Sequence, residues 1–373
     1  MTDQEIPYDS FLLVSFGGPE GPEDVLPFLE NVLRGKNVPR ERMLEVAEHY
    51  KHFGGISPIN DHNRKLLTAI KQEFADNGIE LPVYWGNRNW HPLLPDTLRQ
   101  MRDDGCKRTL AFFTSMFSCY SGCRQYRENI AAAQDEVGQG APIVDKVRMG
   151  FNHPLFIDTM VDSVNRAIDS LSKDSGSAEI DSVDRDKVTV MFTAHSIPMS
   201  MADHCDYVKQ LTESSRLVAE GAGVNQWRLV YQSRSGPPQQ PWLEPDVCDA
   251  IAEMDDSEQL SHLVIVPIGF VSDHMEVMFD LDQEAAQLCQ ERGISMARAT
   301  TAGTSAKFVQ MIAALVDERL GRTDDRQAIG DLGAWHDVCP HDCCQYTPRR
   351  PPASVSGGGR PDTSRPTGTG AKN

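Results

Sequence analysis

The chain alternates short apolar runs with longer stretches of helical periodicity. FLLVSFGG at 11–18 has the character of a buried strand that ends in a glycine turn, and a helix is expected over 25–33. Further strands are expected at 83–85, 109–113, 188–193, 228–231 and 262–267. Helical patterns fall between them, for example at 93–103, 124–137, 154–172 and 304–319. Strands separated by helices predict doubly wound α/β sheets of parallel strands, and two rounds of the pattern fit the length. The polar, acidic, Ser- and Gly-containing stretch 171–187 reads as a linker or surface insertion, and strand-and-helix order restarts near 150. The expected division is therefore 1–150, 151–325, a cysteine-bearing segment 326–345, and a disordered tail 346–373 rich in Pro, Gly, Ser, Thr and Arg.

Charge narrows the function classes. The 373 residues carry 54 Asp and Glu against 36 Lys and Arg, a formal net charge of −18, which disfavours nucleic-acid binding. The N-terminal MTDQEIPYDS lacks the basic and apolar regions of a secretory signal, and apolar runs such as LVIVPIGFV at 263–271 are far short of a bilayer span. A cytoplasmic protein with no transmembrane segment is expected. In a reducing compartment its nine cysteines do not form a disulfide framework.

Five stretches carry candidate chemistry. In VTVMFTAHSIP (188–198), His195 stands just past an apolar strand, where ligands of open α/β sheets bind and where an imidazole can take a proton or a metal. In PIGFVSDHMEVMFDLDQEAAQ (267–287), Asp273 is expected to cap a helix, with Glu276 completing a capping box. Glu276, Asp280 and Glu284 recur four residues apart, so they line one helical face, with His274 beside them. Such a row is either an exposed acidic face or a run of oxygen ligands for a hard divalent cation. SRSGPPQQPWLEP (233–245), with Arg234 and Trp242, reads as a rigid surface loop. In YKHFGGISPIN (50–60), Gly54 and Gly55 make a turn whose amides are able to approach a ligand. Finally, CPHDCC places Cys339, Cys343 and Cys344 within six residues. Three thiols need a fourth ligand from elsewhere; spacing leaves both an iron–sulfur cluster and zinc open, with His336 and His341 as alternative zinc ligands.

Taken together, LLVSFGGPEGPEDVLPFLENVLRG, HFGGISPIN, FTAHSIP, YQSRSGPPQQPWLEP and PIGFVSDHMEVMFDLD resemble the ferrochelatase family, in the family's order and over most of 8–320. The resemblance implies two Rossmann-like domains, chelatase-like, with a porphyrin cleft between them. It implies His195 as the residue that takes pyrrole protons or ligates the entering iron, and Glu276 as its carboxylate partner across the porphyrin plane; which of the two is base and which is ligand stays open. Asp280 and Glu284, with His274 nearby, match an acidic path for metal or protons along a π-bulged helix. The likeness is greatest to the branch found in high-GC Gram-positive bacteria, in which Fe²⁺ is inserted into coproporphyrin III and coproheme passes to a decarboxylase in haem biosynthesis. Ser57 and Tyr126 lie where that branch contacts propionates. Phe16 stands where some relatives carry a metal-facing tyrosine, so iron must rely on His195 and Glu276. Cluster-bearing members draw one cysteine from mid-chain, which implies a 2Fe–2S cluster on Cys123, Cys339, Cys343 and Cys344, with Cys119 the competitor for the first place. A monomer is expected. The implied chemistry uses binding energy to distort the macrocycle and expose its nitrogen lone pairs, with His195 as general base.

Overall fold

A computed structural model describes residues 7–35, 38–173, 183–258 and 260–346. Apart from Tyr346, the expected tail lies outside these residues, as do 174–182 of the polar stretch. The apolar run SFLLVS forms β1 (Ser10–Ser15), buried along its whole length. A strand covered on both faces has no use for polar alternation, which is why it reads as a continuous apolar run. Helices α1 (Val25–Leu33), α2 (Arg40–His52) and α3 (Ile59–Asp76) follow, then β2 (Val83–Asn87), α4 (Leu94–Asp103), β3 (Arg108–Phe113), α5 (Gln125–Val137) and β4 (Ile143–Lys146). These strands form a four-stranded parallel sheet in the order β2-β1-β3-β4.

The second half repeats the plan. After α6 (Pro154–Lys173) come β5 (Val188–His195), the short α7 (Met199–Ala202), α8 (Tyr207–Ala222), β6 (Gln226–Gln232), α9 (Val247–Glu258) and β7 (His262–Val266). Then follow α10 (Met275–Phe279), α11 (Ala286–Arg292), β8 (Ser295–Arg298) and α12 (Ala306–Leu320). The second parallel sheet runs β6-β5-β7-β8, the same order as the first. In both sheets the first strand in sequence has neighbours on both sides, so strand order reverses beside it, and crevices for ligands form at the carboxyl ends of such strands.

One apolar core joins the two halves. Phe11, Leu13 and Phe112 of the first sheet, Val190 and Phe192 of the second, and Phe156 and Phe308 of α6 and α12 belong to the same buried cluster. The side chain of Arg148 is fully buried within this joint and forks onto Glu318 of α12 through two bonds of 2.7 Å, with a third to the Gln327 carbonyl at 2.8 Å. No helix among the described residues is long and apolar enough to cross a membrane.

Candidate functional site

The burial of β5 changes at its last residue: seven buried positions are followed by His195, whose side chain is 35% exposed. Its imidazole is pinned through Nδ1 to the Ser196 carbonyl. A neutral imidazole with its proton on Nδ1 for that bond has its lone pair on Nε2. The next peptide is held by Ser196 N–H donating to the Gln232 carbonyl and Ser196 Oγ donating to the Leu243 carbonyl, both at 2.8 Å. Leu243 belongs to the 233–245 loop, which bonds back to 197–199 through Leu243 N–H and Met199 N–H. The loop therefore braces the histidine turn and is more than a surface segment.

Glu276 Oε2 faces His195 Nε2 at 3.8 Å. That distance is shorter than the two van der Waals gaps of about 3.5 Å each that a flat macrocycle lying between the groups would need. It also suits joint ligation, because one first-row divalent ion with bonds of about 2 Å spans such a pair. The capping box is not formed: the α10 cap position is His274, with no side-chain cap bond, and Asp273 is instead clamped by Arg298 at 3.1 Å through both terminal nitrogens. Arg298 also bonds Asp282 at 2.5 Å, tying the helix to β8. The half-buried His274 packs edge-on against Phe270, and desolvation holds its pKa below the usual histidine value.

The helix widens into a π turn over Asp280–Ala285, and Asp280 lies close enough to both Glu276 and Glu284 to feel their charge. Asp280 accepts bonds from Ser233 Oγ and, at 3.2 Å, from Gln232 Nε2. Ser233 adopts φ 59°, a left-handed conformation uncommon outside glycine, and it does so at the point where it holds Asp280. Desolvation raises the Asp280 pKa to about 7, and the charges of Glu276 and Glu284 push in the same direction against the two hydrogen bonds. Burial likewise raises Glu284, aided by Asp246 and opposed by His49. His49 stacks on Phe279 with ring centroids 4.3 Å apart, which joins α2 to this helix.

On the first sheet, Phe16 follows β1 directly and meets Phe28 edge-on. Arg88, just past β2, lies with its guanidinium carbon 5.6 Å from the Phe16 ring and 4.4 Å from that of Tyr126. Tyr126 is buried and stacks on Phe113, and Ser57 is buried beside Gly18. Phe16 packs with Phe28, Tyr50, Met275 and Phe279 in one apolar cluster, so the first-sheet residues and the helix that carries Glu276 share a wall. The Gly54 and Gly55 amides are not free for a ligand, because they bond the Lys51 and Tyr50 carbonyls at the end of α2. A separate groove of about 420 Å³, lined by His62, Lys65, Arg166, Ser272 and Thr301 among others, reaches Asp273 but neither His195 nor Glu276.

The C-terminal thiols converge on the first half. Cys123 lies buried in a second π turn, Tyr120–Arg124, and its thiol shares a hydrogen bond with Cys339; Cys343 bonds both Cys339 and Cys344. The bond from Cys123, with Lys146 and Arg127 nearby, holds the Cys339 thiol below the usual cysteine value. The Cys119 sulfur accepts from Gly122 N–H at 3.1 Å. Among the described residues no group of three or more His, Cys, Asp or Glu is placed to hold a metal ion as it stands.

Sequence reasoning missed Arg88, Gln232, Ser233 and Arg298. Arg88 follows a strand end and was open to the same argument that found His195; the others are adjacent to the site only through sheet pairing and loop packing.

An α/β protein with two parallel sheets, and with a histidine, a carboxylate and an acidic row at a strand end, belongs to the metal-handling class. Its fold matches SirB from Bacillus subtilis with Fe³⁺, at a TM-score of 0.50 and 12% identity over 84% of this chain and 98% of that one. The ferrochelatase family model matches residues 8–320, and the chain belongs to the ferrochelatase family, metal chelatases that insert Fe²⁺ into porphyrins. It is 69% identical to a ferrochelatase of Rhodopirellula baltica over 95% of this chain and 97% of the relative. It is also 49% identical to the coproporphyrin III ferrochelatase of Streptomyces coelicolor over 93% of this chain and 96% of that one.

Proposed function

We propose that this chain inserts Fe²⁺ into coproporphyrin III to give coproheme in haem biosynthesis, with His195 and Glu276 as the reacting pair. The observation that carries this reading is the meeting of Nε2 and Oε2 at 3.8 Å at the end of β5. The lone pair on His195 Nε2 receives a pyrrole proton, and Glu276 and His195 together receive the iron. Asp280, with its pKa near neutrality, passes protons between Glu276 and Glu284 as a general acid–base group. Arg88, between Phe16 and Tyr126, offers a propionate the positive charge that Ser57 and Tyr126 lack. Steady-state insertion measured side by side with coproporphyrin III and protoporphyrin IX tests the substrate: faster turnover of the former is expected, and turnover of protoporphyrin IX alone would overturn it.

The same reading includes a 2Fe–2S cluster on Cys123, Cys339, Cys343 and Cys344. The chemistry of the donor set supports it: the four thiols are linked in the order Cys123–Cys339–Cys343–Cys344 and lie beside Lys146, while Arg127 donates to Cys343 Sγ at 3.4 Å and Arg124 to the carbonyls of His341 and Cys343 at 2.9 and 3.0 Å. Such cations offset the charge of four thiolates. When bound, the group supplies one-electron redox chemistry and a covalent tie between the tail and the first sheet. Two units, 1–150 and 151–325, cytoplasmic location, a monomeric state and transfer of coproheme to a decarboxylase complete the proposal.

A further inference from the structure

Helix α8 is unusual in what it buries. Gln210, Glu213, Ser214 and Ser215 are all within its buried face, together with Tyr207. Buried polar side chains are destabilising unless hydrogen-bonded, and an apolar face would fill the same space at no such penalty. Several of their bonds reach beyond the helix, although Ser214 also bonds the Gln210 carbonyl and Glu213 also pairs with Arg216 within it. Gln210, fully buried, accepts from Ser118 N–H at 2.7 Å and donates to Ser118 Oγ at 3.1 Å. Ser214 donates to the Phe151 carbonyl at 2.7 Å. Glu213 accepts from Asp331 N–H at 2.6 Å, in the segment leading to the C-terminal cysteines. Tyr207 donates to the carbonyl of His195 at 3.1 Å, and its ring meets Phe117 edge-on at 6.4 Å.

Two of these contacts form a continuous link. Phe117 and Ser118 precede the π turn that carries Cys123, and Tyr207 and Gln210 stand one helical turn apart on α8. We infer that Tyr207 and Gln210 are positioning residues for the insertion reaction: they seat α8 between the thiol-bearing turn 117–123 and the His195 peptide, and so fix the place of the imidazole. The other supports of His195 hold its ring and the peptide after it, whereas Tyr207 holds the His195 carbonyl itself. Without the tyrosine hydroxyl that carbonyl loses its side-chain partner, and the strand end is free to shift by a fraction of an ångström. Without Gln210 the helix start loses its register against Ser118.

The inference rests on the role given to His195 above, and the test separates the two. Tyr207→Phe, Gln210→Met, Gln210→Glu and the Tyr207→Phe/Gln210→Met double variant are compared with His195→Ala, measuring kcat for iron insertion, porphyrin affinity by fluorescence quenching and thermal midpoint. One ordinary hydrogen bond corresponds to about fivefold, and misplacing a reacting group costs up to roughly a hundredfold. Tyr207→Phe is therefore expected to lower kcat about 5- to 100-fold with porphyrin affinity unchanged within about twofold. Gln210→Met should act in the same direction, the double variant should lose less than the product of the two, and Gln210→Glu, which still accepts from Ser118 N–H, should recover most of the rate. If Tyr207→Phe and Gln210→Met keep wild-type kcat while His195→Ala is inactive, α8 is only structural and the inference fails. If His195→Ala itself turns over normally, the reading of His195 fails instead.

Discussion

Replacing Asp280 with asparagine should stabilise the protein while slowing the reaction. The carboxyl is carried from an ordinary 3.8 to about 7, chiefly by desolvation. A shift of about three pH units is worth roughly 4 kcal/mol; residual solvent around this half-buried group leaves about 2 kcal/mol. The sign follows from proton linkage. The folded state binds the Asp280 proton more tightly than the unfolded chain, so its favourable contribution is complete below pH 3.8 and is lost as pH rises through about 7. At pH 8 the wild type carries the whole penalty of a buried carboxylate, and Asp280→Asn does not. Urea unfolding at pH 8 should therefore show the variant more stable by about 2 kcal/mol, with the gain falling below about 1 kcal/mol at pH 5. Iron insertion by the same variant should drop, because the amide can neither accept nor pass a proton. Equal stabilities at both pH values would refute the raised pKa, and undiminished insertion would remove Asp280 from the proton path.

Other outcomes follow from the same geometry. His195→Ala should abolish insertion and keep porphyrin binding, with fluorescence quenching as the check on binding. Glu276→Gln should cost more turnover than Glu284→Gln, since only Glu276 touches His195; equal losses would argue against a graded path. Cys344→Ser should bleach a brown, anaerobically purified protein and lower its unfolding midpoint, whereas a colourless wild type holding one zinc would overturn the cluster. Glu318→Ala leaves Arg148 buried without its carboxylate and should cost about 3–5 kcal/mol in urea unfolding; a loss under about 1 kcal/mol would show the ion pair to be dispensable.

Much of the fold was legible because its central strands are apolar throughout. β1, β3, β5 and β7 stood out as runs, and α1 was placed at its observed ends. The edge strands β4 and β8 were not seen. Ile143 is exposed, and every residue of Ser295–Arg298 is only half-buried, so neither strand writes an apolar run. Helix α3 was read only as the turn before it, since the Gly54–Gly55 and Ser57–Pro58 punctuation hides a helix that begins immediately after Pro58. Helix α8 falls between two expected strands, but its buried face mixes Gln210, Glu213, Ser214 and Ser215 with Leu211, Val218 and Ala219, so its apolar periodicity is interrupted.

The legible part of the site also sets a constraint on the reaction. His195 was found because strand ends in doubly wound sheets are where ligands bind, and the row behind it because carboxylates four apart share a helix face. What the spacing could not give was the distance between the two groups, and Nε2 and Oε2 stand 3.8 Å apart. An imidazole nitrogen has a single lone pair, so His195 cannot hold a pyrrole proton and an iron ion together. On the proposed reading, a pyrrole proton that His195 takes leaves Nε2 before iron binds there, and Asp280, whose pKa of about 7 lets it accept and release a proton near neutrality, offers it a route. On that proposal, two protons leaving and one dication entering along the same carboxylates leave the net charge of the row unchanged.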